Sequence, residues 1–318
     1  MFLFWLIPLL LALVLGICYY CFRTAFYVPK KTPKDIAEYP IPIGRIYEPY
    51  HAQMKRWMEE ARATPHEKFT IQSHDGLTLH GTYYEYAPNA PIEIMFHGYR
   101  GSGERDLCGG IQRCFVLGHS ALIVNQRASA PSEGNIISFG ANEHKDCLAW
   151  VDFAVQHFGT DAKIILTGIS MGAATVLLAA GKELPANVVG VLADCGYSSA
   201  EEIIKIVIRS MKLPPKLAYP FVKLSARIFG HFNLDQADVT KAVKNCKVPV
   251  IFFHGQDDDF VPYHMSQANF DACPSTKRLV ITPGAGHGLC YLVDPDGYVQ
   301  AVREFFDPIL NQETEHCE

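Results

Sequence analysis

The sequence predicts an α/β fold, a mostly parallel sheet covered by helices on both faces, with one apolar helix ahead of it. Three observations carry this expectation. Short, fully apolar segments recur along the 318 residues with gaps long enough for helices between them, the pattern of a parallel sheet buried on both sides. Two alternating segments flank Asp75-Gly76, the strongest short signal for a hairpin. Finally, Gly168-Ile169-Ser170-Met171-Gly172 joins the apolar run Ile164-Ile165-Leu166 to a helix-compatible run from Ala173 to Ala180, which is a strand turning sharply into a helix.

The first element is the apolar one. From Phe2 to Phe22 the chain carries no charge, and a helix of that length, at about 1.5 Å per residue, reaches roughly across the hydrocarbon core of a bilayer. The competing readings are a cleaved signal peptide and a buried helix. No Lys or Arg precedes the run and no A-x-A-like site closes it, which favours an uncleaved anchor. Leu15-Gly16-Ile17-Cys18 resembles a lipoprotein cleavage site only loosely, because Ile17 is too bulky at the cut. Residues 1–26 are read as a single-pass membrane anchor. Arg23, Lys30, Lys31 and Lys34 all lie on its carboxyl side, and positive flanks stay in the cytoplasm, so the rest of the chain is expected there.

Residues 27–64 follow as a tether and a leading helix. Tyr27 to Pro42 bears Pro and Lys, and Ile46 to Ala63 has an amphipathic pattern. The main domain is expected over 65–312. It opens with the hairpin segments Phe69 to Gln72 and Leu77 to His80. Strands then fall near 92–97, 121–125, 163–168, 188–193, 248–254 and 278–282, giving an eight-stranded sheet with a helical lid inserted at about 199–245.

Composition excludes more than it identifies. Lys+Arg at 28 against Asp+Glu at 33 gives a net charge of −5, no reason to expect nucleic acid as a partner. Ten cysteines are scattered, many inside apolar segments, and no N-x-[ST] sequon occurs; this suits buried thiols in a reducing compartment. Cys18 and Cys21 lack a second pair or a nearby histidine, so no zinc site is expected. Gly101-Ser102-Gly103 lacks the rest of a nucleotide-binding loop.

Ligands of such sheets bind beyond the carboxyl ends of the strands, where the chemistry-bearing residues fall. A strand-to-helix bend exposes Ser170 at its tip, and the flanking glycines remove the Cβ atoms that would clash there. A serine hydroxyl is a weak nucleophile alone; it needs a base, an acid to orient the base, and donors for an oxyanion. Among 13 histidines, His287 in Pro283-Gly284-Ala285-Gly286-His287-Gly288 follows the last strand and fits a free base. In the segment His254 to Pro262, three aspartates compete for the acid: Asp257, Asp258 and Asp259. The plain alternative there is a solvated acidic turn. Asp194, at the end of strand 188–193, is a fallback.

The order Ser170, Asp, His287 is that of the α/β-hydrolase triad. Over about residues 65–310 the sequence resembles the α/β-hydrolase superfamily, within it bacterial membrane-anchored hydrolases related to the serine aminopeptidase and esterase-like branches. The resemblance implies several assignments. H-G-x-x-D-x-x-V-P places the acid on Asp258. His97-Gly98-Tyr99 marks the oxyanion loop, with the backbone amides of Tyr99 and Met171 as donors. Asn125 to Gly134 resembles the D-x-R-x-x-G-x-S-x-G segment, with Asn125 in place of Asp and Ala130 in place of Gly. If that glycine takes a positive φ, Ala130 is strained or the loop rerouted.

The implied activity is a serine hydrolase cleaving an ester or related acyl bond through an acyl-enzyme, on a small-molecule or lipid-like substrate, with no metal or organic cofactor. A peptidase or thioesterase with the same triad is the alternative within enzymes. A non-catalytic membrane scaffold is the alternative outside them, and the intact Ser170, Asp258 and His287 argue against it. Dehalogenase or epoxide-hydrolase chemistry wants Asp where this chain has Ser170.

The expected lid is basic. Between Ile203 and Leu234 no Asp or Glu occurs, while Lys205, Arg209, Lys212, Lys216, Lys223 and Arg227 do. Ile203, Ile204, Val207, Ile208 and Met211 share helical spacing, and Pro214-Pro215 breaks the helix. The plain expectation is a cap with a solvated lysine face; the sharper one is a lid facing an anionic bilayer. Met211, Leu217, Phe221 and Phe229 are candidates to line the substrate pocket.

Overall fold

The computed structural model describes residues 2–29 and 41–311, so most of the expected tether, with Lys30, Lys31 and Lys34, lies outside the described residues. Strands β1 (Glu67–Gln72), β2 (Thr78–Tyr84), β3 (Ile92–Phe96), β4 (Ser120–Asn125), β5 (Ile164–Ile169), β6 (Val188–Asp194), β7 (Val250–Gly255) and β8 (Lys277–Thr282) form one sheet. Their spatial order is β1-β2-β4-β3-β5-β6-β7-β8. β1 and β2 are antiparallel to each other, and β2 to β4; the remaining pairs are parallel. The hairpin forms because Gly76 takes φ +83°, a region open to glycine, while Ser73 Oγ accepts the Leu77 amide at 2.8 Å.

The helices are α1 (Phe2–Ala25), α2 (His51–Ala63), α3 (Gly110–Leu117), α4 (Glu143–Phe158), α5 (Met171–Ala180), α6 (Ala200–Ser210), α7 (Pro215–Ile228), α8 (His264–Ala272) and α9 (Pro295–Asn311), besides single turns. Neighbouring residues of a strand point to opposite faces. Ile164 and Leu166 of β5 accordingly pack with α4 and α5, and Ile165 between them with α2 and α9. The leading helix is shorter than its apolar pattern implied: one tight turn at Glu48–Tyr50 precedes α2.

α1 is not separate from the domain. Cys18, Phe22 and Phe26 are buried, four residues apart and therefore on one face. α1 packs along α7, with Phe229 against Tyr19 at 5.5 Å and Phe22 at 5.8 Å between ring centroids. Phe26 meets Phe139 and Phe232 edge-on. Past the helix, the Val28 amide donates to Asn135 O at 2.8 Å, and Arg100 donates to the carbonyls of Thr24 and Tyr27. The boundary expected at residue 26 is therefore no break between two bodies. Phe26→Ala removes a fully buried ring and is expected to cost about 3–5 kcal/mol, read by urea unfolding of the detergent-solubilised chain.

α6 begins where the Ser199 hydroxyl accepts the Glu202 amide, a side-chain cap, and buries Ile203, Ile204 and Ile208. The basic face is partly neutralised by acids outside the acid-free run: Lys205 pairs with Glu201 and Glu202, Lys223 and Arg227 with Asp235. Arg209, Lys212 and Lys216 stand exposed around the α6–α7 turn, beside exposed Met211, Leu213 and Leu217.

Candidate active site

β5 ends in a tight bend at Ser170, whose φ of +56° and ψ of −117° lie where non-glycine residues are rare and strained. The bend is held from both sides. The Ser170 amide donates to the Asp194 carbonyl at 2.8 Å. A Cβ on Gly168 would sit 2.2 Å from Gly172 O, and one on Gly172 would sit 1.9 Å from Phe96 O. Both glycines are thus required for α5 to press against β5 and β3.

The loops after β7 and β8 are stitched together beside this bend. The Asp257 amide donates to Ala285 O at 3.0 Å, and a Cβ on Gly255 would lie 2.2 Å from the same carbonyl oxygen. Of the three competing aspartates, Asp257 and Asp259 are exposed and Asp258 is buried. Asp258 Oδ2 lies 2.7 Å from His287 Nδ1, and His287 Nε2 lies 3.0 Å from Ser170 Oγ. The structure therefore brings Ser170, Asp258 and His287 into one hydrogen-bonded chain. Asp194 borders the same cavity but is outside this hydrogen-bonded chain: buried, it accepts from Tyr298 O–H at 3.2 Å, and burial pushes its carboxyl pKa up.

Asp258 is well supplied with donors. Its Oδ1 accepts the amides of Phe260 at 3.0 Å and Val261 at 2.8 Å, and His254 Nε2 stands 3.2 Å from Oδ2. Burial works to raise its pKa, but the bonds from His254 and His287 outweigh it and hold the carboxyl at about 2. Two contacts position His287 that the sequence did not reveal. Tyr47 donates its hydroxyl to the His287 carbonyl at 3.0 Å, and Phe260 presents its ring edge-on at 5.2 Å.

Tyr99 lines the same cavity as Ser170, with its side chain turned toward α1, where its hydroxyl donates to Ala25 O at 2.8 Å. The preceding Gly98 amide is taken by Asp106 Oδ2 at 2.8 Å. Met171 is the first residue of α5, and such amides have no acceptor within their helix. In the 125–134 segment, Asn125 Oδ1 accepts the Gly103 amide at 3.1 Å, and Arg127 is clamped by Asp146 and Asp75. In this segment Ala130 does not take a positive φ; Ala128 does, at 62°, and Gly134, at 93°, so the strain considered for residue 130 is not found there.

A cavity of about 250 Å³ opens onto Ser170 and His287. Its walls include Tyr47, Met54, Trp57, Leu107, Tyr291 and Leu292, contributed by α2, its preceding turn, the approach to α3 and the segment before α9. Met211, Leu217, Phe221 and Phe229 are not among the lining residues, which corrects the expected pocket. Phe229 is occupied by α1, and Met211 and Leu217 face outward.

Sheet order, elbow and loop-borne acid and histidine define an α/β-hydrolase fold. Solved structures share it. The esterase Pf2001 of Pyrococcus furiosus superposes with a TM-score of 0.63 at 21% identity, covering 78% of this chain and 93% of that one. Est1E of Butyrivibrio proteoclasticus, determined with ferulic acid bound, gives 0.59 at 23% identity over 76% of this chain and 99% of its own. In sequence, residues 219–296 match the profile of the serine aminopeptidase family S33, Hydrolase_4. The uncharacterized protein YqkD of Bacillus subtilis (strain 168) is 26% identical over 294 residues, 91% of each chain. The chain thus has the α/β-hydrolase fold.

Proposed function

We propose that this protein is a serine hydrolase that cleaves an ester through an acyl-enzyme. The observation that carries the reading is the chain of contacts from Asp258 through His287 to Ser170, at 2.7 and 3.0 Å. His287 Nε2 takes the Ser170 proton as Oγ attacks the acyl carbonyl carbon. The tetrahedral oxyanion accepts bonds from the Tyr99 and Met171 amides. His287 returns the proton to the departing alcohol, then activates water to release the acid and regenerate Ser170. Asp258 holds the imidazole in the tautomer with its proton on Nδ1 and stabilises the charged ring. The serine aminopeptidase match over residues 219–296 favours one second reading, amide cleavage by the same groups. Labelling by a fluorophosphonate probe that disappears in Ser170→Ala supports the nucleophile. Rates on matched ester, thioester and aminoacyl-amide substrates separate the readings.

We further propose that α1 is retained as a membrane anchor with the catalytic domain on the cytoplasmic side. Residues Ile7–Ala25 are long and apolar enough to cross a membrane, and burial of Phe22 and Phe26 in the domain core is at odds with removal of the helix as a signal. The candidate span Ile7–Ala25 includes Cys18 and Phe22, which are buried against the domain. A full span therefore carries α7, with exposed Leu217, Leu224 and Ile228, to the membrane boundary. Arg209, Lys212 and Lys216 then meet anionic headgroups. The full chain is expected to float with vesicles. Replacing those three cations by glutamate should lower initial-rate binding to anionic vesicles and leave neutral ones unaffected; equal loss on both overturns the role of the charges.

A further inference from the structure

The walls of the catalytic cavity are apolar, but its floor is not. Met95 of β3, Thr167 of β5 and Leu192 of β6 are paired neighbours in the sheet, and all three border the cavity. Arg113 reaches this floor from α3 with only 3% of its surface exposed. Its Nη2 donates to Glu93, which also accepts from Thr167 Oγ1 at 2.7 Å and lies 2.9 Å from His119 Nδ1. Among the described residues Arg113 Nη1 has no acceptor. Nearby, Asp194 is 6% exposed; its Oδ2 accepts from Tyr298 and the Cys290 thiol lies beside the same carboxylate, while Oδ1 has no full hydrogen-bond partner among the described residues. Tyr298 stands between the two, its ring centroid 5.8 Å from the Arg113 guanidinium carbon.

Buried polar groups are nearly always paired. Here a donor and an acceptor atom without partners among the described residues border the cavity that holds Ser170, in a position to meet a ligand. Thr167 precedes Ser170 by three residues, roughly 10 Å along an extended strand, so the floor lies a medium acyl chain's length from the nucleophile.

We propose that this floor recognises a hydroxyl at the far end of the substrate's acyl chain, whose oxygen accepts from Arg113 Nη1 and whose hydrogen is directed to Asp194 Oδ1. The inference rests on the ester reading above and names its substrate class. The polarity argues for a neutral group that both accepts and donates. A carboxylate would face Glu93 and Asp194 around a guanidinium that Glu93 already neutralises, and an ammonium would face Arg113. A methyl terminus would leave both protein groups unpaired, which is the situation in which a polar site discriminates most strongly.

The test compares kcat/KM of the full chain in detergent on p-nitrophenyl esters of ω-hydroxy acids and of unsubstituted acids, matched at each length from roughly four to ten carbons. A preference of about tenfold or more for the hydroxylated ester at the best length is expected. A ratio near one, or favouring the methyl terminus at every length, overturns the proposal and assigns the floor to water. Asp194→Leu, and the double variant Glu93→Leu/Arg113→Met that removes both partners of the ion pair together, should each bring the ratio toward one. Should either fail to fold, the wild-type ratio decides. Calorimetric binding of the free ω-hydroxy and unsubstituted acids to Ser170→Ala needs no turnover. Tighter binding of the hydroxylated acid supports the floor even if no ester is hydrolysed, and equal binding overturns it; absence of any Ser170-dependent ester turnover counts against the ester reading alone.

Discussion

Ser170→Ala is expected to lower kcat/KM for a short p-nitrophenyl ester by about 10³- to 10⁶-fold, and His287→Ala by a similar factor. The two losses should not multiply, because each removes the same proton-coupled attack. Asp258→Asn is expected to cost about 10⁴-fold, for a reason visible in its bonding. The Phe260 and Val261 amides that hold Oδ1 keep an acceptor oxygen at that position, so the new NH₂ points at His287 Nδ1. The imidazole must then carry its proton on Nε2, facing Ser170, where it no longer accepts. The native carboxyl is held at about 2, so it stays charged throughout the range in which imidazoles ordinarily titrate, and the acid limb of the rate profile is not set by Asp258. Hydrolysis by Ser170→Ala at the wild-type rate would remove the nucleophile from the scheme.

Much of this arrangement was legible because it depends on local rules. Glycines at 168 and 172 are forced by contacts of about two ångströms at their missing Cβ atoms, and such glycines mark the bend in any sequence. The apolar strands and the Asp75-Gly76 turn read directly from alternation and turn chemistry. Three features did not read, each for a physical reason. An unbroken apolar run looks the same whether lipid or protein covers it, so the burial of Cys18, Phe22 and Phe26 against α7 and the Phe139 region was hidden. Pocket walls and core are built from the same residue types, so the cavity was assigned to Met211 and Phe229 instead of Met54, Trp57 and Tyr291. The choice among Asp257, Asp258 and Asp259 depended on resemblance, since neighbouring loop residues differ in direction rather than type. One signal was available and unused: Glu93 interrupts an otherwise apolar five-residue strand in which every position is buried, and a lone charge there requires a partner.

That partner makes Glu93→Gln a costly substitution, expected to lose about 3–5 kcal/mol of stability. The amide leaves the Arg113 cation buried without its counter-charge and offers Thr167 and His119 one acceptor oxygen in place of two. Burial alone would raise the Glu93 pKa; attraction to Arg113 and the bonds from His119 and Thr167 reverse this and hold it well below the usual glutamate range. A carboxyl whose pKa is lower in the folded chain than in the unfolded one contributes stability that is complete above the unfolded value and is lost as the pH falls toward the folded one. The stability difference between wild type and Glu93→Gln, measured by urea unfolding at a series of pH values, should therefore be widest near neutrality and shrink in acid, where the wild type must also leave Arg113 unpaired or keep a proton off Glu93 at increasing cost. The double variant Glu93→Leu/Arg113→Met should lie closer to wild type than Glu93→Gln, because it removes the ion pair instead of half of it. A difference that stays constant with pH would mean that the strand tolerates the lost charge and objects only to the amide's shape, leaving Arg113 to be held in place by Tyr298 and the cavity rather than by Glu93.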